Sequence, residues 1–273
     1  MPQPIRSPAA PAPRLVPLRK RTLAATAAGL AGIAMLAAWM WAQPGIPAAG
    51  PLVLPADRAA GIVRRTEVAF ADAQGVWDRA VRRDRGSYHK AEVVFFSSAK
   101  GTPCAPSPVA GPFYCPESGV AAFDLRFVDT LGERMKRQRD LGIALYAARL
   151  SAQHLQRELG LLDVAALHLV GARRGRRAEI GAALALQGDC LAGVWAAAAE
   201  PRLGSVPDGF WDQLVWSSRN VVDELRQAGT PISAEFDVFA ASDRNDRATA
   251  FAEGYAAGQI GGCPLALDGG AAG

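Results

Sequence analysis

Apolar residues follow three different rhythms along this chain. From Thr22 to Ala42 they form one almost unbroken, uncharged run. As a helix at 1.5 Å per residue it spans about 31 Å, close to the hydrocarbon thickness of a bilayer. From Asp57 to about Arg85 they recur in three- and four-residue steps, with Ala69, Ala73, Val76, Trp77 and Ala80 on one face, which predicts an amphipathic helix. Between Ala91 and Ser98 the β-branched and aromatic Val93-Val94-Phe95-Phe96 predicts a strand. Two short runs, Phe113–Cys115 and Gly119–Phe123, are compatible with a hairpin.

From about Thr130 the pattern is mostly helical. Helices are expected over roughly 140–159, ending at Gly160, and over 176–199, closing before Pro201. Two more are expected over 208–228, ending at Gly229, and over 243–257. No internal repeat is visible. The fold expected is α+β, a small antiparallel sheet followed by several helices. The domain plan is a basic tail (1–21), a transmembrane helix (22–42), a Pro/Gly linker (43–56), a folded ectodomain (57–265) and a C-terminal tail (266–273).

Charge sharpens this plan. The formal net charge of +4 comes from the tail, since residues 1–21 hold five cations and no acid. The rest of the chain is close to neutral, so composition supplies no basic domain for nucleic acid. Arg19-Lys20-Arg21 precedes the apolar run and Trp39 and Trp41 close it. The positive-inside rule then puts the N-terminus in the cytoplasm and the ectodomain in the periplasm or another extracytoplasmic space. A cleaved signal peptide is the competing expectation. Its usual apolar core is shorter, at about 7–15 residues, and Met40 would stand badly three residues before a cleavage point.

Four cysteines outside the cytoplasm suit two disulfides, with three connectivities open. Cys104 and Cys115 bracket a short Pro/Gly-rich loop and make the natural local pair, which leaves Cys190 for Cys263.

Two blocks carry a resemblance. They are Gly111-Pro112-Phe113-Tyr114-Cys115-Pro116, with Asp124 in the strand that follows, and Ala185-Leu186-Gln187-Gly188-Asp189-Cys190-Leu191-Ala192-Gly193-Val194-Trp195. With Phe251, Gly254, Gly258 and Cys263 near the end, they resemble the neutral zinc metallopeptidase family over about residues 69–263. The resemblance implies a zincin-like ectodomain. It also implies a zinc ion held by a His-Glu-x-x-His helix and a downstream glutamate.

Here that helix reads Arg149-Leu150-Ser151-Ala152-Gln153, so Arg149 and Gln153 stand where the histidines would be. Leu150 replaces the glutamate that activates water, and Ala185 replaces the third ligand. A permanently protonated arginine opposes a divalent cation, so loss of zinc and of the peptidase mechanism is expected, with no other cofactor in view.

Asp189 is retained, and the resemblance gives it the role of orienting a zinc-binding histidine. An Arg149–Asp189 ion pair in the vacated cleft is one expectation; a solvated arginine beside a surface aspartate is the other. His89, His154 and His168 are the histidines from which a site could be rebuilt, although His154 points about 100° away from position 153. Ser151, Ser217 and Ser218 lack a triad signature, and Cys190 reads as half a disulfide rather than a nucleophile.

Three functions follow as expectations. The first is a membrane-anchored, inactive relative that holds a peptide or protein partner in the old cleft or partners an active peptidase. The second is a hydrolase acting through unrecognised residues. The third is a structural envelope protein whose cleft has collapsed around Leu150 and Ala185.

Overall fold

The computed structural model describes residues 54–96, 104, 109–233 and 243–267. Both the expected transmembrane helix and the tail before it lie outside the described residues. Pro51–Gly273 forms a compact unit of its own.

Helix α1 (Ala56–Arg85) buries Ile62, Phe70, Ala73 and Trp77 and stops at Gly86, which has φ 91°. Strands β1 (Glu92–Phe96), β2 (Phe113–Cys115) and β3 (Val120–Asp124) follow. Their order is β1-β3-β2, with β3 antiparallel to β2 and parallel to β1. The small sheet is therefore mixed rather than antiparallel. The β2–β3 hairpin forms as the run of residues suggests, while β1 reaches β3 across the intervening loop and joins in the same direction. All five residues of β3 are buried, as expected of a central strand.

Asp124 ends β3 and caps α2 (Leu125–Met135), its Oδ1 accepting from Arg126 N at 3.0 Å. Its Oδ2 accepts from Gly111 N, so one fully buried carboxylate joins the loop, the strand and the helix. Helix α2 starts before the expected helical region because this cap lies at the strand end.

Helix α3 (Arg139–Glu158) is the central element, with Leu145, Ala147, Ala148, Leu150, Ala152 and Leu155 fully buried. A short helix α4 (Leu161–Leu169), not expected from the pattern, follows the left-handed Gly160. Helix α5 (Arg174–Leu203) passes through Pro201 and stops at Gly204, whose N–H reaches Glu200 O. Proline in a final turn removes one hydrogen bond and leaves earlier turns intact, so the break expected before it does not occur. This helix is long and apolar enough to cross a membrane, but 67% of its apolar window is buried inside the unit. Helices α6 (Phe210–Gln227) and α7 (Arg244–Ala257) complete the unit, and Asp243 caps α7.

The α5–α7 joint explains much of the second sequence block. A methyl group built on Gly254 would overlap the Cys190 carbonyl oxygen. One built on Gly193 would overlap Phe251 O and stand 2.6 Å from Tyr255 N. Glycine at both positions lets the two backbones touch. Cys190 is bonded to Cys263 just beyond α7, and Cys104 to Cys115, which resolves the connectivity. Trp195 of the same block donates to Asp72 of α1 at 2.9 Å, which also pairs with Arg202.

Candidate functional site

One turn of α3 separates Arg149 from Gln153, and a second brings Gln156 onto the same face. These three, with Ala185, Leu184 and Gly181 of α5, Leu162 of α4, and Tyr114 and Pro116, line a cavity of about 280 Å³. Three of the four positions that the resemblance assigns to a zinc site thus line the same cavity. The fourth, Leu150, is fully buried in the main core and does not line the cavity.

Arg149 is 2% exposed and its Nε donates to Asp189 Oδ1 at 2.9 Å. The expected ion pair is present, and Asp189 is fully buried rather than a surface group. A second arginine, not anticipated, joins it. Arg247 of α7 is also fully buried and grips the same carboxylate, Nε to Oδ2 at 2.6 Å and Nη2 to Oδ1 at 2.5 Å. Burial draws the Arg247 guanidinium below the ordinary arginine range and Arg149 adds to this, while Asp189 opposes it. Asp189 therefore ties α3 and α7 to α5 through charge-assisted bonds. The signal that could have found Arg247 is its place on one helical face with Phe251 and Gly254.

Polar side chains around the cavity are mostly committed to structure. Gln156 donates to Leu184 O and Gln187 Oε1, and Gln187 donates to Cys263 O. His154 is 1% exposed; its Nε2 meets His89 O at 2.5 Å and its Nδ1 meets Tyr114 Oη at 2.8 Å. Donation by Nε2 to the carbonyl leaves Nδ1 to accept from the tyrosine. Burial lowers the His154 pKa and raises that of Tyr114 to about 12. His89 lies on the surface beside Glu158, and His168 is exposed on α4. The three histidines do not converge on the cavity.

Ser151 accepts from Trp77 Nε1 and donates to Ala148 O, and Ser218 donates to Leu214 O. Cys190 is consumed in its disulfide. By contrast, Gln153 Oε1 is buried with no hydrogen-bond partner.

These residues do not fit a zinc ion. The first histidine position holds a guanidinium bound to Asp189, the second an amide, and the third a methyl group. Among the described residues, the one group of three metal-type donors is Cys104, Cys115 and Glu117, where both cysteines are joined in a disulfide.

Comparison with known proteins agrees with the two sequence blocks. The Uncharacterized protein YpfJ of Escherichia coli (strain K12) is 23% identical over 199 residues, covering 72% of this chain and 69% of that protein. The Uncharacterized protein Rv2575 of Mycobacterium tuberculosis (strain ATCC 25618 / H37Rv) is 36% identical over 111 residues, or 40% of this chain and 36% of the relative. No solved structure matches. The family described as "Putative neutral zinc metallopeptidase" matches residues 50–265, so the chain belongs to that family.

Proposed function

We propose that this chain is a membrane-anchored, extracytoplasmic member of its family that has given up zinc chemistry and binds a peptide or protein segment in the former cleft. The observation that carries the reading is the buried Arg149–Asp189–Arg247 cluster. It puts a cation where the family's mechanism needs a metal ligand and uses Asp189 to cross-link helices.

A collapsed, purely structural cleft is disfavoured because Ala185 still borders an open cavity of about 280 Å³. That volume is just below the usual range for ligand pockets and suits one or two side chains of a partner rather than a long segment. The orphaned Gln153 Oε1 is an acceptor suited to a peptide N–H. Anchoring and orientation rest on the apolar run at 22–42 and the cationic tail before it.

The test is the zinc content of the purified full-length chain after exposure to excess metal and desalting, alongside an assay of peptide hydrolysis. Near-zero zinc and no turnover are expected. One zinc per chain, or hydrolysis abolished by Arg149→Ala or Gln153→Ala, overturns the proposal and returns the chain to the enzymes.

A further inference from the structure

Helix α4 has an inward face that behaves normally. Ala165 is buried with Ile180 and Leu267 in a small satellite core, against which Leu169, Leu184 and Leu265 pack. Its outward face should then be polar, as on any surface helix. Instead Val164 is 44%, Leu167 74% and Val170, just past the helix end, 80% exposed. Side chains this exposed project from the surface.

Four residues separate α4 from α5, and the corner with the first turn of α5 reads Val170-Gly171-Ala172-Arg173-Arg174-Gly175-Arg176-Arg177. Gly171 turns the chain with φ 70°, and Arg177 Nε donates to Ala172 O at 2.9 Å to close the turn. Arg176 is held by Glu179 and by the Leu267 carbonyl. Arg173, Arg174 and Arg177 are exposed, and among the described residues none of them has an acidic partner. The tip of a helical corner therefore presents projecting aliphatic side chains next to a cluster of cations that have no acidic partner among the described residues.

We propose that this corner is a docking surface for an anionic lipid bilayer. Its three aliphatic side chains would enter the acyl region while Arg173, Arg174 and Arg177 meet headgroup phosphates. A bilayer accepts projecting side chains without a complementary pocket, and its charge complements the arginines. A protein partner would need a matching concavity that also carried acids. The inference is independent of the ligand and chemistry of the cleft.

The experiment is co-sedimentation of residues 51–273, the compact unit, with vesicles containing phosphatidylglycerol or made of phosphatidylcholine alone. The unit is expected to sediment with the anionic vesicles and to be released by salt. The Arg173→Ser/Arg174→Ser variant should bind about 25-fold more weakly, from a factor of about five per arginine. The Leu167→Ser/Val170→Ser variant should lose roughly tenfold or more. All four residues are surface groups, so circular dichroism should show both variants folded.

No sedimentation of the wild-type unit, or equal sedimentation of the folded variants, overturns the proposal. So does a wild-type dimer in sedimentation velocity that Leu167→Ser/Val170→Ser makes monomeric, because the face would then belong to a second copy.

Discussion

Replacing Asp189 by asparagine keeps the side-chain volume and removes the charge on which two buried arginines converge. The carboxylate accepts from Arg149 Nε at 2.9 Å and from Arg247 Nε and Nη2 at 2.6 and 2.5 Å. An amide has one oxygen to offer and brings two N–H donors towards groups that are themselves donors. Both arginines are almost fully buried, so water cannot replace the lost attraction. Breaking a buried ion pair on one side costs about 3–5 kcal/mol. At roughly 2–4 °C per kcal/mol for a unit of this size, the melting temperature should fall by about 6–20 °C.

The assay is thermal unfolding followed by circular dichroism at neutral pH with disulfides intact. Arg247→Met and the Asp189→Asn/Arg247→Met double variant complete a cycle, in which the two losses should sum to more than the double loss. A melting temperature within about 2 °C of wild type for Asp189→Asn, or strictly additive losses, would refute the view that this carboxylate holds α3 and α7 to α5.

Two other outcomes follow from geometry and titration. Gly254→Ala drives a methyl group into the Cys190 carbonyl and should destabilise the unit by about 3 kcal/mol or more, read from the urea midpoint; an unchanged midpoint would mean that α5 and α7 do not touch there. His154 has its pKa lowered by burial, with Arg157 and His89 acting the same way and the His89 carbonyl bond and Glu158 opposing. The unfolded chain takes up that proton near pH 6.5 and the folded chain only at lower pH. Stability should therefore hold above pH 6.5 and fall as the pH drops below it, by at most about 1.4 kcal/mol per unit for this one group. Melting temperatures between pH 7.5 and 5 check this, and His154→Gln should flatten the profile.

Much of the helical layout was legible because its stops are local. Gly160 and Gly229 have positive φ beside helix ends and could be read one residue at a time. The parallel pairing of β1 with β3 was not legible, since nothing in Val93–Phe96 states which way its neighbour runs. Helix α4 escaped notice because its apolar residues lie all around it and give no single face.

In the site, Arg149, Gln153 and Ala185 could be brought together through resemblance to a known motif. Arg247 was harder to place, because its helical face with Phe251 and Gly254 marks it as inward but does not name a partner 58 residues away. The cavity depends on which side chains fail to fill a space between three helices, and pattern alone does not supply that volume.

The α5–α7 joint bears on how this family is recognised. Asp189 takes Arg247, Cys190 takes Cys263, and Gly193 admits the backbone of α7. In this chain none of these tasks involves a metal. A sequence search that leans on Asp-Cys-x-Ala-Gly-Val-Trp therefore detects a way of fastening two helices, whatever chemistry the chains it gathers perform. Sorting them requires reading the α3 positions occupied here by Arg149, Leu150 and Gln153, on which the fastening makes no demand beyond a partner for Asp189.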